Sequence, residues 1–267
     1  PYLTDVSMAK ALAQALKIII NSVYGYTTAT FDNPFKDPRN VDNIVAKRGA
    51  LFMINLKHEV QDRGFTVAHI KTDSIKIPDA TPEIINFVKE YGQKYGYSFE
   101  HEATYSKMCL VNDAVYIAKH IDAPWEEMSG KWTATGTQFQ VPYVFKKLFS
   151  KEPLTFDDFC ETKSVTSQLY LDFNEDLPEN EHNYIFVGKV GRFTPVKPGS
   201  GGAILYREKD GKYYAATGTK GYRWLESELL RNKENWQDIV DENYYLAMAE
   251  QAIKDISIYG DFTWFSE

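Results

Sequence analysis

The sequence predicts an α+β fold, and three observations predict it. Apolar residues recur at helical spacing across the first 25 residues. Short β-rich runs broken by turn residues occupy 65–77, 108–118 and 164–190. From Leu225 to Tyr259 the pattern is mostly helical again. The chain has 267 residues, enough for one large domain or two modest ones. Hydrophobic residues at 43% and charged residues at 25% match a soluble globular protein, and aromatics at 15% suit dense packing or ring stacking. No apolar run approaches the roughly 20 residues that span a bilayer, and no signal peptide opens the chain. No membrane partner is therefore expected. Cys109 and Cys160 form neither a disulfide framework nor a metal-ligand spacing, which favours a reducing, cytoplasmic setting. The chain starts at Pro1 and enters a helix almost at once, as a piece of a longer protein would.

Taken in order, Thr4 or Asp5 can cap a first helix whose apolar residues are Met8, Leu12, Leu16, Ile19 and Val23. Gly25 is its expected left-handed end. Lys17, Asn21 and Tyr24, at i, i+4 and i+7, fall within roughly 60° of one another around the helix, and Gln14 extends the stripe. For a generic helix such a stripe is a solvated face, but one cation, one amide and one ring are poor material for that alone. Thr27–Pro38 is loop, and a second helix is expected from about Val41 to Arg63, stopped by Gly64, with Ile44, Val45, Leu51, Ile54 and Val60 inward. Lys47 and Arg48 on it are read as facing water.

Phe65–Ile70 and Ser74–Ile77 read as two strands joined by Lys71, Thr72 and Asp73. A carboxylate at the tip of such a hairpin is held rigidly, as a metal ligand should be, although a lone turn aspartate is commonly just a turn residue. Thr81-Pro82-Glu83 starts a helix with Ile84, Ile85, Val88 and Tyr91 inward, ending at Gly92 or Gly96. Met108–Val111, Ala114–Ala118 and Trp132–Phe139 read as strands, Val141–Ser150 as helix and Leu154–Glu161 as a helical turn. Ser164–Phe173 and Tyr184–Val190 read as strands flanking an acidic loop. In the closing helical stretch, Leu229, Leu230, Ile239, Tyr245, Met248, Ala252 and Ile256 are the candidate core.

Net charge is −7, which on average argues against nucleic acid, but charge is uneven. Between Gly188 and Trp224 eight basic residues stand against Glu208 and Asp210 alone, and cations interleave with rings around Lys212-Tyr213-Tyr214 and Lys220–Trp224. That mixture suits a nucleic-acid backbone with occasional base contacts, and equally a twisted surface sheet. The glycine-rich run Lys197–Gly202 lacks the order of a phosphate-binding P-loop.

Two stretches together change the weight of these readings. KIIINSVYG at 17–25 matches the motif B of family B DNA polymerases, K-x-x-x-N-S-x-Y-G, at every fixed position. HIKTDS at 69–74 resembles that family's motif C, Y-x-D-T-D-S, inside the expected hairpin. The stretch from Asp32 to Lys119 also looks like bacteriophage polymerases of this family. The resemblance is specific over the first 120 residues and general beyond 130. It implies a fingers helix and following palm helix over 1–64, part of an antiparallel palm over 65–130, and a thumb-like α+β region over 131–267 that contains the basic window 188–224.

The resemblance further implies roles. Lys17 matches the lysine that contacts the nucleotide triphosphate and can protonate the pyrophosphate leaving group, and Asn21 the asparagine that reaches the phosphates. Tyr24 matches the tyrosine lying against the nascent base pair, with Gly25 leaving room for the template. Asp73 matches a ligand of two Mg²⁺ ions that activate the primer 3′-hydroxyl and stabilise the leaving oxygen. Ser74, Tyr116, Lys119, Lys220 and Arg223 are the expected DNA contacts, and primer–template DNA and deoxynucleotides the expected partners.

Three departures accompany it. Lys71 stands where the motif usually has Asp. The K-K-R-Y element that grips the primer appears as Asp113-Ala114-Val115-Tyr116, leaving Tyr116 with Lys119 as a substitute cation. Motif A, D-x-x-S-L-Y-P, which carries the second metal-binding aspartate upstream of motif B, is not present. The chain is thus expected to be inactive alone and to need an upstream N-terminal half. It is expected in the cytoplasm, that of the host cell if phage-encoded. The alternative expectation is a non-catalytic nucleic-acid-binding subunit that keeps the fold. A single-subunit RNA polymerase or reverse transcriptase palm is disfavoured by the wording of motif B.

Overall fold

The computed structural model describes residues 2–174, 176–219 and 221–267, with backbone alone for residues 2–4. It combines helices with antiparallel sheets, as an α+β chain should, in two compact units, Pro1–Glu102 and Ala103–Glu267. The candidate residue Lys220 lies outside the described residues.

The first unit holds α1 (Tyr2–Thr28), α2 (Pro38–Val41), α3 (Ile44–Asp62), β1 (His69–Lys71), β2 (Ser74–Lys76) and α4 (Pro82–Lys94). Its core is small: Phe52, Met53, Leu56 and Val60 of α3 meet Ile84 and Val88 of α4, with Ile70 and Ile75 of the hairpin packed alongside. Leu56 and Val60 are fully buried, each worth about 1.5–3 kcal/mol by apolar area removed from water.

Expectations change at both long helices. Gly25 does not take a left-handed backbone, and α1 continues to Thr28, because the Thr27 and Thr28 hydroxyls donate to the Tyr24 and Gly25 carbonyls at 2.6 and 2.9 Å. The apolar side of α1 is uncovered, with Met8, Leu12, Leu16, Ile19 and Val23 between 38% and 66% exposed. Contrary to the expectation that no apolar stretch approaches a bilayer span, Asp5–Thr28 is long and apolar enough to cross a membrane by length and composition, Lys10 and Lys17 notwithstanding. The helix expected from about Val41 to Arg63 is α3, which begins at Ile44 because Asn43 before it takes the left-handed conformation (φ 59°), and the short α2 falls at the end of the expected loop. The stripe that faces α4 is then set by Phe52, Met53, Leu56 and Val60, leaving Ile44, Val45, Leu51 and Ile54 exposed.

The second unit has two antiparallel sheets. β3 (Tyr105–Asn112), β4 (Val115–His120) and β5 (Trp132–Thr135) form one. The other has the order β10-β7-β6-β8-β9, from β6 (Glu161–Asp172), β7 (Tyr184–Val196), β8 (Ile204–Lys209), β9 (Lys212–Ala215) and β10 (Arg223–Glu226). Helices α5 (Thr137–Gln140), α6 (Pro142–Phe145), α7 (Glu228–Arg231), α8 (Trp236–Ile239), α9 (Asn243–Ser257) and α10 (Phe262–Ser266) complete it. The core joins Leu169, Phe193 and Trp224 of the larger sheet to Phe139, Tyr143 and Tyr245 of the helices.

The strand expected over Trp132–Phe139 stops at Thr135. Gly136 turns the chain with φ 91°, where a side chain would strike Val115, and α5 follows. Arg223–Glu226 is strand, paired to β7, where helix was expected from Leu225. Leu230 is buried while Leu229 is exposed, since only one of two adjacent positions on the short α7 can face inward.

Candidate functional site

The C-terminal end of α1 is held by a polar knot. The buried Asn40 side chain donates from Nδ2 to Thr27 Oγ1 at 2.5 Å, and the Asp37 amide donates to the Thr27 carbonyl at 3.2 Å. Asp37 caps α2 by accepting from the Arg39 amide at 2.9 Å, and its carboxylate also binds the Arg39 guanidinium. The Arg39 side chain, first, and its amide hold the Asp37 carboxyl down at about 2. Against this knot lies a cleft of about 460 Å³ lined by Tyr24, Asn40, Ile44, Val45, Arg39 and Arg48. Asp37 lines the cleft too and already pairs with Arg39, so a ring, an apolar floor and the Arg48 guanidinium are what the cleft offers to a planar group carrying negative charge. Lys47 pairs with Asp42 at 3.1 Å, whereas Arg48, read from sequence as facing water, lines this cleft. Arg39, Arg48 and Asn40 are the residues sequence reasoning missed, for α2 packs on the end of α1 and the start of α3 follows it, and no periodicity announces that.

Lys17, Asn21 and Tyr24 share one side of α1 and are exposed, Tyr24 to 45%. Asp73 is exposed at the hairpin tip, where His69 pairs with Lys76, Ile70 with Ile75 and Lys71 with Ser74, leaving Thr72 and Asp73 as a two-residue turn. Thr72 has φ 53°. For a β-branched residue that conformation is strained by on the order of 1–3 kcal/mol, and such strain concentrates at functional sites. The Ser74 hydroxyl donates to the Lys71 carbonyl at 3.2 Å and closes the turn. Burial lowers the Lys76 ammonium pKa, with Lys71 adding to the effect. Lys17 and Asp73 thus belong to one compact unit, but no hydrogen bond or ion pair joins them among the described residues.

Among the described residues no three His, Cys, Asp or Glu side chains gather where a metal could be held. Asp73, a single carboxylate beside Lys71, is not by itself a divalent-ion site.

In the second unit, Tyr116 and Lys119 lie three residues apart on β4 and so point to opposite faces. Lys119 Nζ donates to the Glu267 carbonyl at 2.5 Å and lies 5.7 Å from the Trp132 ring. Arg223 binds both oxygens of Asp176 at 2.9–3.0 Å. Within the basic window, Arg192 pairs with Asp157 at 2.9 Å and Lys197 donates to the Asp238 carbonyl, also at 2.9 Å. Part of the window's charge is therefore spent inside the fold.

No protein-family model matches the chain, and no curated protein matches it. The polymerase resemblance rests on the sequence motifs alone.

Proposed function

We propose that this chain is the C-terminal part of a DNA-templated DNA polymerase, transferring nucleotides from deoxynucleoside triphosphates to a primer 3′-hydroxyl. The observation that carries the reading is Asp73 at a strained two-residue hairpin tip, in the same compact unit as the exposed Lys17, Asn21 and Tyr24 of α1. A β-branched residue is kept in an unfavourable conformation beside the one carboxylate that motif C assigns to the metal. Ordinary turn chemistry would put Gly or Asn there.

On this reading Lys17 neutralises triphosphate charge and is positioned to give a proton to the departing pyrophosphate. Asn21 orients the phosphates and Tyr24 lies against the new base pair. Bound Mg²⁺ would supply Lewis-acid stabilisation of the reacting oxygens, held by Asp73 together with a carboxylate from an upstream part of the polymerase. Binding and positioning are the chain's own share of catalysis.

The test is reconstitution. With the upstream half supplied in cis or as a second chain, Mg²⁺-dependent primer extension is expected, and Asp73→Ala is expected to abolish it. Extension that survives Asp73→Ala removes the metal-ligand assignment. Lys17→Ala should weaken nucleotide use at least tenfold more than duplex binding, and equal losses would make Lys17 a general DNA contact. The rival reading, a nucleic-acid-binding subunit without chemistry, predicts DNA binding but no extension in any reconstituted form. Lys71 in place of the usual acid is the residue that favours it.

A further inference from the structure

The geometry points to a second anion site in the other unit, a groove on the large sheet that takes a phosphate group. The groove encloses about 420 Å³ between the first half of β6 and the end of β8, and Lys163, Arg207 and Lys209 line it together with Glu208, Ser164, Ser167 and Thr217. It exists because β6 bulges. Ser164 pairs with Val190 and Leu169 with Gly188, so five residues of β6 advance against two of β7 and the intervening chain leaves that ladder.

Charge in the groove is unbalanced. Lys209 stands directly opposite Lys212 across the β8–β9 pair, a like-charge juxtaposition that destabilises a sheet. Arg207, two residues before Lys209, shares its face of the sheet. Glu208 is the one acid lining the groove, and its carboxylate is engaged by the Gly211 amide, from which it accepts at 2.6 Å, so three cations stand against a single carboxylate. Lys163 is held in place by Glu161 at 2.5 Å and by the Thr217 carbonyl at 3.1 Å. Arg207 and Lys209 are exposed at the groove, and Ser164, Thr166 and Thr217 supply hydroxyls beside them. A guanidinium fork, ammonium groups and hydroxyls around one groove are the chemistry that binds a phosphate's oxygens, and the bound anion would relieve the Lys209–Lys212 repulsion. Other cations of the basic window, Arg192 and Arg223, are already paired with Asp157 and Asp176. This inference rests on residues 103–267 alone and stands apart from the polymerase reading.

The phosphate can come from a nucleic-acid backbone or from a free phosphate or pyrophosphate, and two arms of one experiment separate them. The full chain is titrated with inorganic phosphate and pyrophosphate by calorimetry, and with labelled single-stranded and duplex DNA by anisotropy between 50 and 200 mM salt. R207E/K209E is expected to weaken binding at least tenfold and to reduce the salt slope by about one to two. K233E/K254E, the same charge change at two exposed lysines elsewhere in the unit, is expected to change affinity less than twofold. Should R207E/K209E fail to fold, as judged by circular dichroism, R207Q/K209Q carries the test with a smaller loss. DNA binding that persists in millimolar pyrophosphate identifies the backbone as the source, and saturable binding of pyrophosphate alone identifies the free anion. Equal losses in the groove and control variants, or no binding in either arm, would overturn the site.

Discussion

The unit from Pro1 to Glu102 leaves its longest helix uncovered, whereas the unit from Ala103 to Glu267 buries Trp224, Tyr143, Phe139 and Phe193 almost completely. The same kinds of side chain are therefore used in opposite ways. In α1, Leu12, Leu16 and Ile19 contribute nothing to a core in this chain, and what defines the helix is the exposed stripe of Lys17, Asn21 and Tyr24. In the second unit the rings are the framework, with Trp224 edge-on to Tyr244 at 5.0 Å and Tyr143 packed on Tyr245 at 5.3 Å. Such contacts fix a fold without specifying a reaction.

The largest expected effect tests that contrast directly. Trp224→Ala should cost about 3–5 kcal/mol and Leu56→Ala about 2–5 kcal/mol in urea unfolding, since both side chains are fully buried. Leu12→Ser should stay within about 0.5 kcal/mol, because Leu12 is 61% exposed. If Leu12→Ser destabilises the protein as much as Leu56→Ala, the apolar side of α1 is covered in solution and the contrast between the units fails.

The contrast also explains what could be read from the sequence. The start of α4 at Pro82, the hairpin around Asp73 and the inward Ile84 and Val88 were legible because local chemistry decides them: a proline in the first turn, a short β-alternation, a helical spacing. Of the candidate site, the sequence offered the two motifs at 17–25 and 69–74. What could not be read was how chain breaks redirect packing. Asn43 starts α3 from a left-handed conformation, the stripe of α3 that is buried is the one that meets α4, and Arg48 comes to line one cleft with Tyr24. Gly136 converts an apparent strand into strand and helix. Nor could the bulge in β6 be read, because it depends on the registers of β7 and β8 and not on β6 alone. Lys163 and Arg207 lie more than forty residues apart, and only the sheet brings them to one groove.

A second, smaller effect concerns the buried phenols. Burial first, and then the Glu242 carboxylate beside Tyr143 and the Glu161 carboxylate near Tyr244 and Tyr245, push all three phenols above their ordinary range. A group whose pKa is raised by folding contributes stability below its unfolded value and loses it as pH rises, so the second unit should weaken above pH about 10. Absorbance at 295 nm should show these three tyrosines ionising together with loss of the circular dichroism signal. Ionisation well before unfolding would mean that they are not buried as described. The Tyr245 hydroxyl is buried with no hydrogen-bond partner among the described residues, so Tyr245→Phe should be neutral or stabilising by up to about 1 kcal/mol and should lessen the alkaline sensitivity.

The smallest effect lies in the exposed unit and has the opposite sign with pH. Asp37 is held at about 2 chiefly by the Arg39 side chain, in the cap that ties α2 to the end of α1. A depressed carboxylate contributes above its unfolded pKa of about 3.9 and loses that contribution as pH falls towards 2. Acid should therefore loosen the floor of the Tyr24 cleft. Hydrogen exchange at the Arg39 amide is expected to accelerate between pH 4 and 2 beyond the intrinsic rate, and Asp37→Asn, which keeps a capping oxygen but no titrating charge, should remove that pH dependence. If the wild-type amide shows no such acceleration, the cap does not depend on the Asp37 charge. The exposed end of α1 would then owe its position to the Asn40–Thr27 hydrogen bond, with Asn40→Ala as the substitution that frees it.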